Sequence, residues 1–188
     1  MSSGQTAQHR SGLNAIPEGL SLSAKFMLSE TPDTSILRAM VPVYPNESIQ
    51  TNAIQKLEIF VHYVSRTVTR PGSIDPLDRK SHILSYLPEW AIKWAPGTVG
   101  NTVCAGLMED RLVLFVKRKD EVVYSKIHSF VTPEDVLYQV QSMFAECALD
   151  QERETIYLFG HLKEDSQVYR LLMIYYKNLL IAEMEFDS

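Results

Sequence analysis

Cysteine is scarce in this 188-residue chain: only Cys104 and Cys147 occur, far apart and in no CxxC pair. That usage signals neither a disulfide framework nor a zinc site, and each thiol reads as a small buried hydrophobe. Long apolar runs are missing too. No segment reaches the roughly 18 uncharged apolar residues that a membrane helix needs. The opening MSSGQTAQHRSGLNAIPEG has no apolar stretch of the secretory kind, so the expected location is the cytoplasm. Positive charge is outweighed, with 18 Lys and Arg against 23 Asp and Glu and a pI near 5.5. A broad nucleic-acid surface would advertise clustered basic residues, and the one basic run, Lys117-Arg118-Lys119, sits where a solvated hairpin turn is expected.

What is present is an ordinary globular composition. Hydrophobic residues make up 45% of the chain and charged residues 22%, enough for a packed core in one domain or two small ones. Residues 1–19, rich in Ser, Gln and Gly, read as a flexible leader. SLSAKFML and SILRAMVPV read as short strands on either side of the breaker Ser29-Glu30-Thr31-Pro32-Asp33. Over residues 48–68, Ile54, Leu57, Val61, Val64 and Val68 keep helical spacing while KLEIFVHYV also alternates like a strand, and the spacing favours a helix. DRKSHILSYL reads as a short helix ending before Pro88.

The second half is punctuated more sharply. NTVCAGL, RLVLFVKR and EVVYSKIHSF are β-rich runs separated by a few charged residues, which predicts consecutive antiparallel hairpins. Thr132-Pro133-Glu134-Asp135 combines an N-cap, a first-turn proline and first-turn acids, so a helix starts there. Val136, Leu137, Val140, Met143, Phe144 and Cys147 form its apolar stripe. TIYLF has the unbroken apolar character of a strand covered on both faces. Gly160 ends it, and a second helix follows, with Asp165 or Ser166 as cap and Val168, Leu171, Leu172, Tyr175 and Leu179 as its buried positions. LLIAEMEF closes the chain as a last strand. The order strand-strand-strand-helix-strand-helix-strand, with right-handed crossovers, is the α/β, mixed-sheet arrangement of ribonuclease H-like and actin-like proteins.

Within this block Glu134, Asp135 and Tyr138 form an E-D-x-x-Y helix start, Tyr157 to Gly160 a Y-L-x-G turn, and Asp165-Ser166 an acidic-Ser pair before an aromatic-rich helix containing Tyr175. On these residues the chain resembles a bacterial family known as domain of unknown function 3822, which is described as having an actin-like ATPase fold. The resemblance lies mainly in residues 102–186, and its motifs are structural rather than catalytic. It implies two related subdomains in tandem. On that pattern residues 20–97 form a reduced or partial first subdomain and 98–188 a ribonuclease H-like second one.

Each chemistry of that fold class demands particular residues. A two-metal nuclease needs acids on its first and fourth strands, holding ions about 4 Å apart. VCAGL and TIYLF contain none. Glu109 and Asp110 are neighbours in a turn, where side chains point apart, and read as a solvated hairpin tip. An actin-like ATPase uses glycine and a hydroxyl in its first hairpin to cradle phosphate, whereas Met108-Glu109-Asp110-Arg111 has no glycine. The Gly-Gly pair expected on the adenosine side is here Gly160-His161. The five histidines, at 9, 62, 82, 128 and 161, lack metal-like spacing, and no G-x-S-x-G elbow occurs. Trp90 and Trp94 read as core or junction packing, and Phe159, Tyr169, Tyr175 and Tyr176 as cover for the sheet. The leading expectation is therefore a non-enzymatic, actin-like scaffold that binds an unidentified protein, with no catalytic residue, no metal and no cofactor. The alternative is weak binding of ATP with magnesium through Gly160, His161 and Ser166. An RNA adaptor is disfavoured by the acidic balance.

Overall fold

The computed structural model describes residues 20–66, 81–96 and 100–184. The expected leader, residues 1–19, lies outside them. The centre of the molecule is a five-stranded mixed sheet. Its first three strands are a meander of β6 (Asn101–Met108), β7 (Arg111–Arg118) and β8 (Glu121–Ser129). Helix α3 (Pro133–Glu146) then crosses to β9 (Thr155–Gly160), and α4 (Gln167–Tyr175) leads to β10 (Asn178–Ile181). The spatial order is β10-β9-β6-β7-β8. β9 is flanked by parallel neighbours on both sides, and β6 is antiparallel to β7. This is the expected ribonuclease H-like and actin-like sheet.

Alternation along the strands divides the apolar residues between two cores. Val103, Ala105, Leu107, Leu112, Leu114, Val116, Ile156 and Leu158 face α3 and α4, where Val136, Val140, Met143, Phe144 and Leu172 meet them. Cys104, Met108, Val113, Phe115, Ile127 and Phe159 face the other way. Gly106 makes that second face possible: a Cβ there would lie 2.2 Å from atoms of the Phe159 ring, so only glycine admits the ring. The start of α3 is fixed as its sequence demands. The Asp135 amide donates to Thr132 Oγ1 (3.2 Å), while the Thr132 and Val131 amides donate to the Asp135 carboxylate (both 2.9 Å).

The second face is covered by the N-terminal portion of the chain. It contains β1 (Leu20–Ser21), β2 (Phe26–Ser29), α1 (Ser35–Met40), β3 (Glu47–Ile54), β4 (Ile59–Arg66), β5 (Ser81–His82) and α2 (Leu87–Trp94). β2, β4 and β3 form a three-stranded antiparallel sheet in that order, and β1 pairs in parallel with β5. Trp90 is the joint, 2% exposed. Its ring lies 5.7 Å from that of Trp94, 5.7 Å from Tyr86 and 6.1 Å from Phe159. Core packing is thus where both tryptophans are found, with Trp94 Nε1 also donating to the Glu183 carbonyl at 3.0 Å.

Several expectations are corrected here. Residues 48–66 form a hairpin rather than a helix: β3 and β4 pair over eight positions, joined by one 3₁₀ turn at Gln55–Leu57 and by Glu58 in the left-handed region (φ 54°). β4 is buried on both faces, so its apolar run has no strand period and mimics a helix. SILRAMVPV is not a strand. Asp33 accepts hydrogen bonds from the Ser35 amide (2.9 Å) and hydroxyl (2.7 Å), starting α1, and the chain is extended again from Val41, just before Pro42. The helix expected to end before Pro88 instead starts there, with proline in the first turn of α2, its favoured place. Ser81–His82 upstream is extended, and residues 78–80 lie outside the described chain. The last strand begins at Asn178 and ends at Ile181, short of the predicted LLIAEMEF. Tyr175 points outward, 43% exposed, and Tyr176, where the chain turns extended after α4, takes the buried place instead. Lys117 is not part of a solvated turn. It is buried near the end of β7, its ammonium reaching the Lys119 carbonyl and, at 3.6 Å, Asp120.

Candidate functional site

Gly160 and His161 stand where β9 ends, beside the β6–β7 hairpin. Gly160 has φ +88°, and a Cβ on it would lie 2.2 Å from the Leu107 carbonyl oxygen. The His161 amide donates to that same oxygen at 2.7 Å. The bare face of the glycine is therefore occupied by the chain's own backbone. Ser166, six positions after Gly160, is the N-cap of α4, its Oγ accepting from the Tyr169 amide at 3.2 Å. The structure thus brings Gly160 and His161 against Leu107, near the end of β6, while no hydrogen bond among the described residues joins them to Ser166. At the tip Glu109 adopts φ 55° and Asp110 pairs with Arg111 at 3.4 Å.

A second constellation was invisible in the sequence because its members lie 33 and 11 positions apart. His62, fully buried, places Nε2 2.8 Å from Ser29 Oγ and 3.0 Å from the Thr31 carbonyl, with Nδ1 2.9 Å from Thr51 Oγ1. A serine beside an imidazole invites a nucleophile reading. The hydrogen-bond roles argue otherwise. A carbonyl only accepts, so Nε2 carries the proton, and Nδ1 accepts from Thr51. The Ser29 hydroxyl itself donates to the Thr31 carbonyl at 2.5 Å. His62 is in the wrong tautomer to take a proton from Ser29 and acts as a clamp on the turn after β2.

His82 is equally buried and equally committed. Nε2 donates to the Ser23 carbonyl (3.0 Å), Nδ1 accepts from the Leu84 amide (3.3 Å), and the ring lies between Phe26 and Tyr63 at 5.3 and 4.9 Å. Burial pushes its pKa down to about 4, so the ring is neutral. Among the described residues no group of three or more His, Cys, Asp or Glu is placed to hold a metal ion.

The remaining feature is a groove of about 520 Å³ between two sheet edges. One wall is Ala24 and Phe26–Leu28 on β2, the other Val122–His128 on β8. Both strands are outer strands of their sheets. They run antiparallel. Leu28–Glu30 lie beside Asp120–Val122 at one end, and Ala24 and Lys25 lie beside Arg111, the ladder partner of Ser129, at the other. Phe26, Leu28, Val122 and Ile127 belong to the core under the groove. On β8, Ser125 Oγ and His128 Nε2 are shielded from solvent and have no hydrogen-bond partner. Burial, then the neighbouring Lys126 charge, hold the His128 pKa below its usual value. No local motif announces such a groove, since its walls come from strands far apart in sequence.

Comparison with known proteins places this geometry in context. No curated protein matches the chain. A crystal structure from Bacteroides thetaiotaomicron VPI-5482, described as a protein with actin-like ATPase fold and unknown function, superposes with a TM-score of 0.70 at 14% identity. The alignment covers 85% of this chain but 65% of that one, so the chain spans a little under two thirds of its neighbour's length. The fold is therefore actin-like. Among the described residues no helix is long and apolar enough to cross a membrane. The family model described as Protein of unknown function (DUF3822) matches residues 27–179, most of the chain, and the protein belongs to that family.

Proposed function

We propose that the protein is a non-enzymatic, actin-like scaffold of the cytoplasm that works by binding another protein. One observation carries this reading: at Gly160, the one glycine standing where this fold class cradles a nucleotide, the Leu107 carbonyl lies 2.2 Å from where a Cβ would be. The backbone amide of His161 is likewise directed at Leu107 rather than outward. The Ser166 hydroxyl is engaged as a helix cap. In this reading residues 20–97 are a reduced first subdomain whose small sheet and α2 serve chiefly to cover the second.

A thermal-shift titration with ATP and magnesium tests the proposal. Millimolar nucleotide stabilises a micromolar binder by roughly 4 kcal/mol. The expected result is no shift. A saturable shift would replace the scaffold reading with the ATP-binding one.

A further inference from the structure

We infer that the groove between β2 and β8 takes an extended polypeptide segment, which adds as a strand to the exposed edges. The inference rests on the protein-binding reading above and gives it a place and a chemistry. Seven consecutive residues, Val122–His128, line one wall. Side chains alternate between the faces of a strand, so an uninterrupted lining means that the backbone edge itself forms the wall. Along an antiparallel edge, unpaired N–H and C=O groups recur every second residue. Among the described residues no backbone hydrogen bond runs from β2 or β8 to an element beyond its own sheet, apart from Phe130, just after β8, which donates to the Asp110 carbonyl. A row of alternating donors and acceptors is complementary to another main chain.

The dimensions agree with such an occupant. With strands about 4.8 Å apart, a rise of about 3.3 Å and a sheet about 10 Å thick, one extended residue fills roughly 160 Å³. The groove volume of about 520 Å³ therefore holds about three residues completely, and more where side chains project outward. Ser125 pairs with Phe115, which faces α2, and His128 pairs with Leu112, which faces α3. The two unpartnered polar atoms thus lie on opposite faces of β8. An added strand would bring its own side chains alongside these two positions, at residues of the segment three apart. The floor at Phe26, Leu28, Val122 and Ile127 calls for a small or apolar residue. The β7–β8 ladder shifts register between Val116 and Lys117, so regular pairing is available from Tyr124 to His128. Main-chain bonds would supply affinity and the alternate side chains selectivity.

Short random peptides displayed on phage, selected on the immobilised full chain, supply the probe. The expected binder slows exchange of the edge-facing amides in Val122–His128 and Phe26–Ser29 by at least about tenfold, and N-methylation of its alternate residues weakens binding by about tenfold or more. Ile174→Ser on the exposed side of α4 should leave affinity unchanged. Binding that instead protects Met173–Ile181 overturns the groove while sparing the protein-binding reading. So does indifference to N-methylation. Slow exchange, in the unliganded chain, of the amides of Val122–His128 that point away from β7 means the edge is already paired and also overturns the groove. Selection of no binder, together with stabilisation by magnesium ATP, overturns both.

Discussion

The α/β unit from β6 to β10 and the strand-rich portion from β1 to α2 are held together by different means. In the α/β unit the buried polar residues are Thr102 and Lys117, ladder partners near one end of β6 and β7. The N-terminal portion instead seals a pair of imidazoles inside, His62 and His82, each engaged at both ring nitrogens. Asn52 Oδ1 adds bonds from the His82 amide (2.8 Å) and Ser85 Oγ (3.3 Å). The helices of the α/β unit are fixed by residues three positions apart. The N-terminal portion depends on bonds spanning 30 to 59 positions. A satisfied buried polar network specifies one arrangement, and it is costly when a partner is lost. The N-terminal portion should therefore be the region that solution conditions disturb first.

The comparison breaks most visibly at its joint. Trp90→Ala removes a fully enclosed ring between the halves and should cost about 3–5 kcal/mol. In chemical denaturation a single transition at lower denaturant is expected, because the halves share one core, and a split into two transitions would mean they fold separately. Gly160→Ala should cost roughly 3 kcal/mol, since φ is positive and the Leu107 carbonyl blocks the added methyl, with the melting temperature as readout.

Acidification separates the halves more finely. His82 has its pKa lowered to about 4 from an ordinary 6.5, so between these values the unfolded chain binds more protons than the folded one. Its contribution is complete above about pH 6.5 and is lost as the pH falls towards 4, by about 3 kcal/mol at most. At pH 4.5 the protection of amides from exchange should fall in β1, β2 and β5 before β6–β9, and His82→Asn should flatten the pH dependence of stability. The smallest effect is Thr132→Ala, which removes one cap and should cost about 1 kcal/mol without altering that pH dependence.

These contrasts also explain which regions of the molecule were legible in the linear chain. Proline and acids after Thr132, a turn residue at each hairpin of β6–β8 and the serine before α4 are local instructions, and the structure follows them. β3 and β4 carry no such instruction. Val61, His62, Tyr63 and Val64 are all buried, so the alternation that marks a half-exposed strand is erased. The pairing of His62 with Ser29 and Thr51 could not be read, nor could the groove, because each is assembled across sequence distances that no periodicity spans. Gly160 was legible as a turn glycine, but not the carbonyl that faces it.

The place of β6 in the sheet has a consequence for synthesis. β7 and β8 follow it directly, so one side of β6 can zip up as soon as the meander leaves the ribosome. Its other side waits for β9, which arrives only after Phe130–Glu154 has been translated, an interval of a few seconds at about 5–20 residues per second. During that interval the nascent chain presents β6 as an apolar ribbon with one edge unpaired.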